Sequence, residues 1–189
     1  MIVQEKFYTA KEFWELSNLP ENENKRLELS EGELIEMPPA GGKHGGIVFQ
    51  IGLPIGQHVR EHKLGYVTAA ETGYVLHVNP DGKDTVRAAN LGFVAASRLP
   101  DGLPGGHIPF APDFAVEVVS PSDRADQIEK KVTEYLQYGT RLLWIVYPAT
   151  KTVVVYTSTS MRRFESGETL DGADVLPGLT LPVNDISAE

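Results

Sequence analysis

Apolar residues along the chain fall into a few distinct rhythms. Between Tyr8 and Asn18, Phe13, Trp14 and Leu16 follow Thr9 and Glu12. A Thr with a Glu three residues later forms a capping box, so a short amphipathic helix is predicted there. Leu27 and Leu29 precede the turn Ser30-Glu31-Gly32, and Leu34 and Met37 follow it, the pattern of a β-hairpin. Pro38 to Gly46 has loop composition. From His44 onward Ile47, Ile51, Ile55 and Val59 recur every four residues, predicting a helix to about Lys63 that Pro54 should kink and whose Gly52 and Gly56 allow close approach to a sheet. Residues 65–70, 72–78 and 90–96 are short, rich in β-branched and aromatic residues, and bounded by turn formers, which predicts a strand in each.

Ser97 to Pro112 is a Pro/Gly-rich loop of unusual length, a kind that is often functional or mobile. It opens into the stretch PDFAVEVVSPSDRADQIEKK (Pro112 to Lys131), which reads as a strand followed by a helix from Ser120 to Tyr138. Ser120 at the N-cap, Pro121 after it and Asp123 three residues on are the start signals, and Gly139 is the stop. Further strands are expected at RLLWIVYP, TVVVYT and MRRFES, and the apolar tail LPGLTLPVNDI should pack onto them. The order predicts an α+β or mixed α/β fold around one sheet, with all 189 residues in one domain.

Within the predicted strand, Glu117 lies among Phe114, Val116, Val118 and Val119. A buried ionised carboxylate costs several kcal/mol unless it is paired, hydrogen-bonded or bound to a cation. Glu117 is therefore a metal-ligand candidate, with a buried Glu–Arg pair or an edge strand facing water as the alternatives. Asp113 shares its face, but four strand residues span roughly 13 Å, too far for two ligands of one cation. Asp113 should instead bond loop amides at the strand entrance. On the following helix Ala125, Ile128, Val132, Tyr135 and Leu136 form one apolar stripe, with Lys131 at its rim and Lys130 pointing to solvent. Lys131 can stretch its ammonium back over the sheet, or snorkel into water. A strand carboxylate, a neighbouring oxygen ligand and an ammonium would suit metal-assisted phosphodiester hydrolysis.

Composition narrows the chemistry. The absence of cysteine removes disulfides, thiolate catalysis and cysteine zinc sites. A formal charge of −9 argues against a protein that coats nucleic acid by general electrostatics, while leaving room for a local basic cleft. No segment is apolar enough to cross a bilayer and the N-terminus lacks a signal-peptide core, so a soluble, cytoplasmic protein is expected.

RLELSEGELIEM, His44 opening a helix, the block APDFAVEVVSPSDRADQIEKKVTEYLQYGTRLLWIVYP and then VLPGLTLPVNDI resemble, in that order and spacing, the Uma-two family of putative restriction endonucleases. The resemblance runs from about Tyr8 to Ile186. It implies the PD-(D/E)xK nuclease superfamily: a restriction-endonuclease-like central mixed sheet flanked by helices, a site for Mg²⁺ (or Mn²⁺) and DNA as substrate; a homodimer is expected besides. Glu117 matches the family's metal-binding Glu, and Lys131 its helix-borne Lys, with Tyr135 four residues on; Val119 stands where related nucleases carry their Lys. In the family's Arg-x-Pro-Asp segment Arg87 matches, but Ala89 replaces Pro and Asn90 replaces the metal-binding Asp. Asn90 offers a carbonyl oxygen without charge, implying weaker metal binding. Tyr147 likewise replaces a family Asp. Glu28 and His44 match motif positions and are cleft candidates alongside Arg87 and Tyr135. The alternative for Glu28 is an exposed pair with Arg26 or Lys25, and for His44 an ordinary helix-start residue. A catalytically silent nuclease fold that binds DNA or a partner is the competing functional reading.

Overall fold

The computed structural model describes residues 6–186. Its first element, α1 (Ala10–Ser17), is closed by the expected capping box: Thr9 Oγ1 accepts from the Glu12 amide, and the Glu12 carboxylate accepts from the Thr9 amide. Only Phe13 of this helix is buried, and it anchors α1 on the hairpin. Strands β1 (Arg26–Ser30) and β2 (Glu33–Met37) form that hairpin, turning through Glu31 and Gly32, both at positive φ (51° and 82°). Two consecutive left-handed residues match the twist of antiparallel strands, which is why Gly follows Glu here.

Helix α2 (Gly42–Glu61) buries Ile47, Ile51, Ile55 and Val59 as the four-residue spacing requires. It begins two residues before His44 and runs through Pro54 as one element. A Cβ on Gly52 would meet Leu91 Cδ1 at 3.2 Å, so this glycine does permit close packing on the sheet, whereas Gly56 faces open space.

Strands β3 (Gly65–Ala69), β4 (Gly73–His77), β5 (Thr85–Ala88) and β6 (Leu91–Ala95) follow. The pattern reading missed β5, a four-residue segment with a charged Arg in its middle. After the long loop come β7 (Phe114–Val118), α3 (Ala125–Gln137), β8 (Leu142–Tyr147), β9 (Thr152–Thr157) and β10 (Met161–Phe164). The chain closes with β11 (Thr169–Asp171), β12 (Thr180–Pro182) and α4 (Val183–Ile186), whose apolar residues join the core.

The strands build three sheets where the sequence pattern suggested one. A six-stranded sheet runs β10-β9-β8-β7-β6-β3, a four-stranded sheet runs β2-β1-β5-β4, and β11 pairs with β12. β7 and β8 are parallel neighbours joined by α3; the other pairings are antiparallel. Alternation along β7 decides what each face meets. Phe114, Val116 and Val118 pack with α2 and the C-terminal segment, while Ala115 packs with Val132 and Tyr135 of α3.

Helix α3 starts later than its sequence signals suggest. Ser120 and Asp123 form a separate turn, in which the Ser120 amide donates to Asp123 Oδ2 at 2.7 Å and the Asp123 amide to the Ser120 carbonyl at 3.0 Å. The helix itself is capped at Arg124, and Ala125, expected on the buried stripe, is exposed. The same short-range bonding that caps helices closed a free-standing turn here.

Candidate active site

β7 lies between β6 and β8, so Glu117 sits on an interior strand, and its face is covered by α3. The edge-strand alternative is thereby removed. Lys131 Nζ approaches Glu117 Oε2 at 3.6 Å and Glu28 Oε1 at 3.0 Å, so its side chain reaches back over the sheet. Tyr135, one turn further along α3, donates its hydroxyl to Glu117 Oε1 at 2.9 Å. Lys130 lies at the surface, paired with Glu31.

Glu28 is fully integrated into this cluster, contrary to the expected exposed pair with Arg26 or Lys25. On β1, residues 26, 28 and 30 share one face and Leu27 and Leu29 the other; Leu29 enters the apolar cluster around Phe13. Glu28 Oε2 then accepts from Arg87 Nη1 at 2.8 Å, and Oε1 accepts from the Ala88 amide at 3.2 Å as well as from Lys131. Arg87 is paired on its other side as well: its Nε donates to Glu134 Oε2 at 2.5 Å, while Ser30 Oγ donates to Glu134 Oε1 at 2.6 Å. Neither Ser30 nor Glu134 stood out in the sequence.

Three buried carboxylates, Glu28, Glu117 and Glu134, therefore meet two cations, Arg87 and Lys131. One negative charge is in surplus, and the ionisation preferences locate it. Burial alone would raise Glu28, but Lys131 and Arg87 more than offset it and hold its carboxyl below the usual range. Burial pushes Glu117 up, and the Glu28 charge adds to that against the pull of Lys131. Burial disfavours the Lys131 ammonium, yet Glu117 and Glu28 together hold it above its ordinary value. Lys131 is thus a fixed positive charge, and Glu117 is the group with an unmet need for a proton or a cation.

Asn90 occupies the turn between β5 and β6, beside the end of β7. Pairing of β6 with β7 stops at Leu91 and Val116, which would leave the Val118 backbone without strand partners on that side. Two side chains replace them. Asn90 Oδ1 accepts from the Val118 amide at 2.7 Å, and His44 Nε2 bonds the Val118 carbonyl at 2.9 Å. A carbonyl only accepts, so His44 carries its proton on Nε2. Burial, the leading cause, holds the His44 ring below its ordinary value.

Glu28, His44, Arg87, Asn90, Glu117 and Lys131 all line one cleft of about 430 Å³. Tyr135 does not; it is wholly buried and acts on the cleft through Glu117. Asp113 stands apart, as strand geometry requires, accepting from the Ala95 amide at 2.9 Å and pairing with Arg98 at 2.9 Å.

Magnesium keeps several of its waters and is commonly bound through one or two carboxylates plus substrate phosphates. Glu117 supplies one carboxylate, and Asn90 a carbonyl oxygen with a second lone pair beyond its bond to Val118. Among the described residues no group of three His, Asp or Glu side chains could enclose a metal unaided. A cation held by Glu117 and Asn90 would need its remaining ligands from water or a substrate phosphate.

A family model for Uma2, described as "Putative restriction endonuclease", matches residues 11–184. The chain belongs to the Uma2 family. Among solved structures, the crystal structure of a "putative nuclease belonging to DUF820" from Anabaena variabilis superposes with a TM-score of 0.74 at 23% identity, covering 85% of this chain and 88% of that one. That likeness shows a shared mixed α/β fold. No curated protein matches the chain. No helix among the described residues of this Uma2 protein is long and apolar enough to cross a membrane.

Proposed function

We propose that this Uma2 chain is a divalent-metal-dependent endonuclease that hydrolyses DNA phosphodiester bonds, working through Glu117, Asn90 and Lys131. The observation that carries this reading is the approach of the Lys131 ammonium to Glu117 inside a cleft that Asn90 also lines. Glu117 and Asn90 would hold Mg²⁺ or Mn²⁺, which when bound would polarise the phosphoryl group and make a neighbouring water more acidic. Asn90 contributes no charge, so the site depends on substrate phosphate to complete it, and metal binding is weak.

The chain's own groups divide the remaining work. Lys131 stays protonated and so offsets charge developing on phosphoryl oxygens; it is no general base. Its bond to Glu28 fixes its direction, and Arg87 fixes Glu28. With two carboxylates already against its single charge, Arg87 offers little net attraction to a phosphate, so it serves as a positioning residue. Tyr135 holds Glu117 by Oε1, which leaves Oε2 facing Lys131.

A catalytically silent nuclease fold is the second reading, and it is favoured by the same ion pairs: Lys131 already neutralises much of the charge a cation would seek. Plasmid nicking in Mg²⁺ and in Mn²⁺ decides between them. Slow nicking by the wild type, none by Glu117→Ala, and nicking at lower metal concentration by Asn90→Asp are expected. Absence of nicking by both the wild type and Asn90→Asp with either ion would overturn the hydrolytic reading.

A further inference from the structure

We propose that the cleft contains a stacking subsite for an unpaired nucleobase, with the Trp14 indole as its platform. The proposal deepens the endonuclease reading by naming the form of nucleic acid the cleft accepts.

Trp14 lines the same cleft as Glu117 and Lys131, although it comes from α1 at the other end of the sequence. Its neighbour Phe13 is the core anchor of that helix at 3% exposed, whereas Trp14 is 41% exposed. Trp14 thus keeps much of its indole open at the cleft while Phe13 anchors the helix, and leaving so large an apolar ring exposed among ion pairs carries a cost in water. The ring is also held in place. His107, delivered by the long Pro/Gly loop, meets Trp14 edge-on at 4.8 Å between centroids and 82° between planes. His107 is itself seated against Gly73, where an added Cβ would come within 2.5 Å of the imidazole. Leu103 of the same loop, 48% exposed, adds a second open apolar group to the cleft lining.

Charge decides which nucleic acid can use such a surface. The chain carries −9, and three of the four cleft cations are paired with carboxylates: Arg87 with Glu28 and Glu134, Lys131 with Glu28, and Arg26 with Glu71 at 3.2 Å; Lys25 bonds the neutral Asn22 Oδ1 at 2.8 Å and keeps its charge. Duplex binding through phosphate neutralisation needs several free Lys or Arg side chains. Stacking needs none, accepts any base, and requires a base face that a duplex interior does not offer. An unpaired base on Trp14, with its backbone leading toward Lys131, is the arrangement this chemistry favours.

Trp14 and the fully buried Trp144 are the only tryptophans, so emission quenching by an added strand reports on Trp14. The probe is a short oligothymidylate, titrated into the full chain in EDTA so that no cleavage intervenes, with a duplex of the same length as comparison. Saturable quenching by the single strand, weaker binding of the duplex, and a roughly tenfold affinity loss in Trp14→Ala, read by anisotropy of a labelled strand, are expected. Trp14→Phe should retain most of the affinity, which separates lost stacking from a disturbed helix. Equal affinity of Trp14→Ala and the wild type, preference for the duplex, or no binding of the strand would overturn the subsite. Single-strand binding through Trp14 without nicking by any ion would sustain the subsite and remove the hydrolytic reading; nicking without quenching would do the reverse.

Discussion

Tyr135 donates its hydroxyl to Glu117 Oε1 at 2.9 Å from a position with no exposure to solvent. Burial, reinforced by the charges of Glu117 and Glu28, pushes the phenol well above its ordinary ionisation range, so it remains a donor at any working pH. Replacing it by Phe preserves the ring in the core and removes one bond from a buried carboxylate. Tyr135→Phe should therefore fold, lose about 1–3 kcal/mol in urea unfolding, and nick plasmid more slowly than the wild type. Unchanged stability would mean that Glu117 finds another donor.

Glu134 and Lys130 are neighbours on α3 with opposite energetic expectations. Glu134 is buried, and its loss strands the Arg87 guanidinium with Glu28 as its remaining carboxylate partner. Removing one member of a buried ionic network costs about 3–5 kcal/mol, so Glu134→Ala should unfold at markedly lower denaturant concentration. Lys130 pairs with Glu31 at the surface, with side chains 43% and 63% exposed. Such pairs contribute about 0–1 kcal/mol, so Lys130→Ala should change stability little. Comparable losses in the two variants would contradict the burial of the Arg87 network.

The contrast between Lys131 and Glu134 explains how much of this site the sequence disclosed. The helical wheel of α3 placed Lys131 at the rim of the apolar stripe because that stripe faces the sheet containing β7, and one sheet suffices for that argument. Glu134 lies outside the stripe and acquires its meaning only from a second sheet, whose β1 and β5 bring Ser30, Glu28 and Arg87 against α3. The strand that carries Arg87 is four residues long, too short for alternation to identify it. Asn90 was visible as a departure from a family motif, but its bond to Val118 was not, because it depends on where β6 stops pairing. Ser120 misled for a related reason: local capping chemistry is satisfied equally by an isolated turn.

Gly92 and Tyr74 set a packing limit next to the site. Gly92 lies mid-strand on β6, opposite Thr68, and a Cβ there would fall 2.1 Å from the Tyr74 hydroxyl. Tyr74 cannot yield easily, being fully buried with its hydroxyl bonded to Thr68 Oγ1 at 2.6 Å. Gly92→Ala should therefore destabilise by about 1–3 kcal/mol despite the better strand propensity of Ala. Pairing the change with Tyr74→Phe should recover part of the loss, and a fully additive double mutant would show that the two groups do not compete for space.

His107 gives the fold a sensitivity to mild acid. Its ring packs 5.4 Å from Phe13 and 4.8 Å from Trp14, between centroids, and lies against Gly73 of β4. Burial holds it below its ordinary ionisation value, and no charged group among the described residues contributes to the shift. The unfolded chain thus takes up a proton near pH 6.5 that the folded chain resists. The contribution of His107 is fully present above that pH and is lost as pH falls through it toward the lower folded value. Wild-type stability should accordingly drop between about pH 7.5 and about pH 5.5 by more than that of His107→Gln. His44 is shifted the same way by burial, so the comparison must be the difference between the two proteins at each pH. Parallel losses in both would show that the imidazole is not held neutral against Trp14.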